Sequence, residues 1–126
     1  MTILAIDDSA ESLIAIKAIL GDAYDLCAVK SGRSALQALE RSKVDLMLMD
    51  IQMPEMSGFE LAAELEQQDA YRNIPIIFLT GTVTEEIVSK IKKTSAKGFI
   101  EKPINSKTLK EKIALFSDIP RKEEIS

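Results

Sequence analysis

Five polar residues stand at the ends of apolar runs in this sequence, and their types define a chemistry. Asp7 and Asp8 follow TILAI, Asp50 follows VDLMLM, Thr80 follows PIIFL and Lys102 follows KGFIE. Three carboxylates gathered in one place cannot all stay ionised unless a cation sits among them. The chain has no histidine and one cysteine, so oxygen ligands dominate, and these select a hard ion, Mg²⁺ or alternatively Mn²⁺. Magnesium keeps several waters and takes one or two carboxylates together with phosphate oxygens. Lys102 and Thr80 supply the point charge and the hydroxyl donor that such a phosphate needs. Together the five would hold a phosphoryl group beside a carboxylate. Asp50, with donors on one side and the metal on the other, is the expected acceptor nucleophile. Singly, each has a plainer use: Asp8 as a helix cap, Thr80-Gly81 as a turn, Lys102-Pro103 as an exposed loop. The argument rests on their convergence.

Composition narrows the alternatives. The chain has 126 residues, 46% hydrophobic and 29% charged, which suits one globular domain with a core that needs no disulfide. The absence of histidine excludes a Ser-His-Asp triad, a histidine general base, a histidine-ligated metal and a role as phosphohistidine donor. A net charge of −4 argues against a dedicated nucleic-acid binder. No apolar run reaches membrane-spanning length and the N-terminus lacks a signal-peptide pattern, so a cytoplasmic domain without membrane contact is expected.

The elements that must position these residues are legible as an alternation. Strand-like runs occupy 2–6, 24–29, 44–49, 75–79 and 97–101, and three of them are nearly continuous apolar blocks, the mark of strands covered on both faces. Helical spacing fills roughly 10–20, 32–40, 58–67, 85–94 and 106–116. Ser57…Glu60 and Thr82…Glu85 have capping-box spacing, and Ser31 and Asn105 are candidate N-caps. Five βα units in succession demand an α/β fold, doubly wound, with a five-stranded parallel sheet and helices on both faces. In the flavodoxin-like strand order 2-1-3-4-5, ligands bind beyond the carboxyl ends of the strands, and Asp7, Asp8 and Asp50 meet there. Residues 1–116 form the domain; 117–126 (SDIPRKEEIS) read as a tail or a truncated linker.

IDD at 6–8, MDIQMPEMSG at 49–58, LTG at 79–81 and EKP at 101–103 together resemble the receiver domain of two-component response regulators, the CheY-like superfamily. The resemblance spans nearly the whole chain. It implies that Asp50 accepts a phosphoryl group from a phosphohistidine on a sensor histidine kinase or a histidine phosphotransfer protein. It also implies that Asp8, Asp50 and the backbone carbonyl of Gln52 bind Mg²⁺ directly, and Asp7 through water. Lys102 would neutralise the acyl phosphate and Thr80 would turn its hydroxyl onto it. Phe99 matches the aromatic that swings inward as Thr80 moves; its plainer reading is a core aromatic. Gln52 and Thr82 stand where the family lines the path of attacking water, and Ser95-Ala96 replaces the usual Gly-Ala before the fifth strand. Such a domain catalyses only its own phosphorylation and dephosphorylation.

Two surfaces stand out. Between Thr84 and Phe116 eight lysines face four acids, a net of +4, while the remainder carries −8. This makes the fourth helix, fifth strand and fifth helix either a basic output face for a downstream protein or output domain, or a solvated lysine face. Leu13 and Ile14, on the first helix near the acidic edge, are either a docking patch for the phosphodonor or part of a broad buried face. Met47, Met49 and Cys27 read as core, Met53 and Met56 as loop packing. The competing functions are a receiver that docks without being phosphorylated, a Mg²⁺-dependent aspartyl-phosphate phosphatase, and a flavodoxin-like electron carrier. The phosphatase would need a second acid where Gln52 stands, and Asp7-Asp8 would repel the phosphate of a flavin. No DNA-binding or catalytic segment follows Phe116, so the expectation is a stand-alone receiver or the N-terminal piece of a longer regulator.

Overall fold

The computed structural model describes residues 1–116; the expected tail lies outside them. Strands and helices alternate: β1 Thr2–Ile6, α1 Ala10–Leu20, β2 Asp25–Val29, α2 Gly32–Arg41, β3 Leu46–Asp50, α3 Gly58–Glu66, β4 Ile76–Thr80, α4 Glu85–Lys92, β5 Gly98–Glu101 and α5 Ser106–Phe116. The strands pair in parallel in the order β2-β1-β3-β4-β5, as expected for the flavodoxin-like doubly wound arrangement.

The continuous apolar blocks become the central strands β1, β3 and β4, because a strand covered on both faces has no polar side. Alternate residues feed two cores. Ile3, Ala5, Leu46, Leu48, Ile77 and Leu79 pack with α1 and α5 through Leu13, Ile16, Leu20, Leu109 and Ile113. Leu4, Ile6, Met47, Met49 and Phe78 pack with α2, α3 and α4 through Ala35, Leu39, Leu61, Leu65 and Ile91. The edge strand β2 is only partly covered, so Cys27 is half-buried rather than core. Among the described residues no helix is long and apolar enough to cross a membrane.

The caps set where the helices begin. Ser57 and Glu60 form the expected reciprocal box on α3. Ser31 caps α2 and Asn105 Oδ1 accepts from Thr108 N–H. A plainer alternative and an expectation give way. Ser9, not Asp8, caps α1, and Thr84, not Thr82, caps α4 by accepting from Ile87 N–H at 3.1 Å. The backbone bends into α4 only after the exposed segment 81–83, which puts Thr82 two residues too early. Ser95 ties the α4–β5 turn to the end of α3: its N–H and hydroxyl both donate to Glu66 Oε1, at 2.9 and 2.7 Å.

Candidate functional site

The site is built at the carboxyl ends of β1, β3 and β5. Asp7 continues the β1 ladder by donating its N–H to Val29 O, and its Oδ1 accepts from Ser9 N–H at 2.9 Å. Ser9 in turn caps α1, so the turn that starts the helix also fixes this carboxylate. Sequence reasoning missed Ser9; the signal was a serine directly after Asp-Asp with Ser12 three residues on. Asp7 is fully buried, Asp8 exposed, and Asp50, the last residue of β3, 5% exposed.

Asp50 is braced from behind by the β3–α3 loop. Gly58 N–H donates to Ile51 O at 2.8 Å, and a Cβ on Gly58 would lie 2.3 Å from Asp50 O and 3.0 Å from Ile51 Cα. Only glycine lets α3 begin this close to the acceptor strand. Within the loop, Met56 N–H donates to Pro54 O at 2.7 Å across Glu55, whose φ of 68° lies in the left-handed region. This is a tight three-residue turn around a non-glycine residue, a conformation that costs about 1 kcal/mol or more and needs its surroundings to hold it.

The carboxylate oxygens of Asp7, Asp8 and Asp50 come within 4.8 Å of one another. Lys102, just beyond β5 and joined to Pro103 by a cis peptide, reaches them with Nζ 2.7 Å from Asp7 Oδ2 and 3.4 Å from Asp50 Oδ1. One ammonium among three carboxylates leaves the cluster negative. Burial, then the charge of Asp7, pushes the Asp50 carboxyl up to about 7, against the opposing pull of Lys102. For Lys102 burial acts to lower the pKa, but the contact with Asp7 and the charge of Asp50 outweigh it and hold the ammonium above the ordinary lysine value. Asp7 Oδ2 is buried and is met by the Lys102 ammonium at 2.7 Å. An all-oxygen donor set of three converging carboxylates and an excess of negative charge over the one ammonium fit a hard divalent cation.

Thr80 and Phe99 stand differently. Thr80, buried at the end of β4, donates its hydroxyl to Thr82 O at 2.8 Å and accepts from Thr82 N–H at 3.1 Å, so the hydroxyl is engaged by its own loop and not by the acidic cluster. Phe99 pairs in register with Phe78 and is half-buried against the core that includes Ile91 of α4. Gln52 is exposed and, with Ile51, Met53, Ser57, Phe59, Ile87 and Lys90, lines an open cleft between the β3–α3 loop and α4. The first-helix pair separates: Leu13 joins the core and Ile14 is 68% exposed.

Known proteins place this arrangement. A Vibrio cholerae protein named a probable cyclic di-GMP phosphodiesterase is 33% identical over 124 residues, 98% of this chain; the chain spans 28% of that relative's length. The chemotaxis protein CheY4 of Vibrio cholerae superposes with a TM-score of 0.85 at 30% identity, covering 90% of this chain and 96% of its own. The receiver domain of a Pseudomonas aeruginosa sensor histidine kinase, solved with magnesium coordinated in its active-site cleft, superposes with a TM-score of 0.83 at 25% identity, covering 91% and 95%. The model of the response regulator receiver domain matches residues 3–114, which takes in the sheet from the second residue of β1 onward and the acidic cluster, and the chain belongs to that family.

Proposed function

We propose that this domain is a phosphoryl-accepting switch acting in the cytoplasm. The carrying observation is the convergence of Asp7, Asp8 and Asp50 with the Lys102 ammonium between two of them. Asp50 attacks the phosphorus of a phosphohistidine on a sensor histidine kinase or a histidine phosphotransfer protein. The O–P bond forms as the P–N bond breaks, and the imidazole leaves with that electron pair and takes up a proton. Asp8, Asp50 and the carbonyl of Gln52 would hold Mg²⁺, or Mn²⁺ in its place, with Asp7 acting through water. Bound there, the ion would supply positive charge to offset that of the phosphoryl oxygens. Lys102 stands beside Asp50 to neutralise the acyl phosphate.

Phosphorylation adds about −1.5 to −2 charges and strong acceptor oxygens at Asp50. These compete for the Thr80 hydroxyl, which must give up both bonds to Thr82 to reach them. The β4–α4 loop then follows, Phe99 repacks, and the surface of α4, β5 and α5 changes for a downstream protein or output domain. The domain catalyses only its own phosphorylation and dephosphorylation in this reading.

The test is intact mass after incubation with acetyl phosphate, with and without Mg²⁺, beside Asp50→Ala. A phosphoryl-sized gain that needs both Mg²⁺ and Asp50 is expected. No gain in a folded, Mg²⁺-binding chain would transfer the assignment to a docking domain that does not phosphorylate.

A further inference from the structure

The methionines of this chain divide by access. Met47 and Met49 are fully buried in β3, whereas Met53 and Met56, in the loop that follows Asp50, are half-buried. Met53 lines the open cleft of about 570 Å³ beside Gln52, so an atom added to its sulfur has room to turn outward. Met56 is wedged. A Cβ on Gly32, the first residue of α2, would lie 2.6 Å from Met56 Sδ, 3.2 Å from its Cγ and 3.3 Å from its Cβ. The thioether therefore lies along the bare backbone of α2, on a face where not even a methyl group fits. It packs as well against the apolar core that includes Ile6, Ala35, Met49 and Leu61. Met56 also ends the left-handed turn at Glu55, donating its N–H to Pro54 O. A turn at that φ needs its surroundings to hold it, and Met56 is the side chain that fastens it to α2.

We propose that the Met56 thioether is an oxidation site for hydroperoxides, and that its sulfoxide unfastens the loop behind Asp50. A sulfur lone pair attacks the outer oxygen of the hydroperoxide, and the S–O bond forms as the O–O bond breaks. The proton on the transferred oxygen passes to the departing one, which leaves as water or an alcohol. Sulfur gives up two electrons and the peroxide takes them. The product carries a polar oxygen on a sulfur that has no room beside Gly32 and apolar neighbours elsewhere, so the side chain withdraws from the contact. The turn at Glu55 then loses the anchor that offsets its strain, and the loop between Ile51 and Gly58 loosens. The sulfoxide of Met53 has no such effect, because its oxygen turns into the cleft. Two thiols return the sulfoxide to the thioether and leave as a disulfide with water, so the change is reversible. Its effect on phosphoryl transfer rests on the phosphoryl-switch reading, in which the Gln52 carbonyl of this same loop would hold Mg²⁺.

The experiment treats the full chain with hydrogen peroxide in the absence of metal, maps the added oxygen by peptide mass and follows amide exchange by NMR. Met53 and Met56 are expected to gain oxygen while Met47 and Met49 do not. The amides of Met56 and Gly58, which make the bonds within the loop, should then exchange about tenfold faster, as loss of a contact that offsets one strained residue allows. Met56→Leu should abolish that change and Met53→Leu should keep it. Gly32→Ala, which pushes Met56 Sδ off α2 with no oxidant present, should speed the same two amides. Uptake at Met47 or Met49 as fast as at Met56 overturns the proposal. So does unchanged exchange in the Met56 sulfoxide or in Gly32→Ala, or protection by Met53→Leu in place of Met56→Leu. The acetyl phosphate mass gain is read separately with Mg²⁺, and it should slow about tenfold in the sulfoxide. An unoxidised chain that gains no phosphoryl group fails the switch reading and leaves the loop measurement standing. A loop that does not loosen fails the oxidation site whatever the phosphoryl chemistry.

Discussion

At the residue scale, Asp50 makes the domain's stability depend on pH. A carboxyl raised from 3.8 to about 7 holds its proton more tightly in the folded chain than in the unfolded one. Its stabilising contribution is complete below the unfolded value and is lost as pH rises through about 7. Without divalent metal, the melting temperature should therefore fall between pH 5 and pH 8, and Mg²⁺ should restore it at the upper end. Asp50→Asn should flatten that profile and melt higher than the parent at pH 8, by about 5 °C for each kcal/mol recovered. A parent profile that is flat or rising over this range would refute the account. The two glycines beside the site make a contrasting pair. Gly58→Ala drives a Cβ into the Asp50 carbonyl and should cost about 2 kcal/mol while slowing phosphorylation. A Cβ on Gly81 meets nothing within 4 Å, so Gly81→Ala should leave stability within about 0.5 kcal/mol, or raise it slightly. Urea denaturation of the two variants decides the matter, and equal losses would mean that the close approach of α3 is not what requires Gly58.

At the element scale, the helices are held very unequally. α1 and α5 bury Leu13, Ile16, Leu20, Leu109 and Ile113 against one face of the sheet, whereas α4 buries Ile91 alone. With so little packing, α4 depends on its cap: Thr84→Ala should cost about 1 kcal/mol. Thr82→Ala leaves both backbone partners of Thr80 in place and should cost much less. If Thr82→Ala is the more damaging of the two, the capping-box spacing read from Thr82…Glu85 was right and the structure's choice of Thr84 is wrong. The Glu66 tie to Ser95 fastens the turn beyond the far end of α4, so the helix is secured there and packed along its length only through Ile91 and the half-buried Ile87.

At the scale of the whole molecule, the sheet is a buried frame and the parts proposed to switch hang from its edge. β1, β3 and β4 are buried along nearly their full length, while every residue from Gly81 to Glu86 is exposed. Hydrogen exchange should therefore run fastest in the β4–α4 loop and α4 and slowest in β3 and β4. Uniform protection across α4 and the sheet would contradict a switch built on differential stability. In the proposed function, a phosphoryl group at Asp50 would touch the buried sheet, and its consequences would appear in the part with least to lose by moving.

Much of this was legible in the residues. Continuous apolar blocks fall silent about which face is which, but they state that the strand is buried on both. Helices between such blocks force a parallel sheet, and polar residues that end the blocks must then gather at one edge. Asp7, Asp8, Asp50 and Lys102 were placed together on that ground, and the structure brings them together. What only the tertiary structure decided were choices between neighbours at hydrogen-bond range. The Thr80 hydroxyl prefers Thr82 to the acidic cluster, Lys102 sits closer to Asp7 than to Asp50, Ser9 rather than Asp8 caps α1, and Leu13 is buried where Ile14 is not. Periodicity reports burial averaged over a face. Which of two donors a side chain meets turns on differences of less than an ångström, and those exist only once the chain has closed on itself.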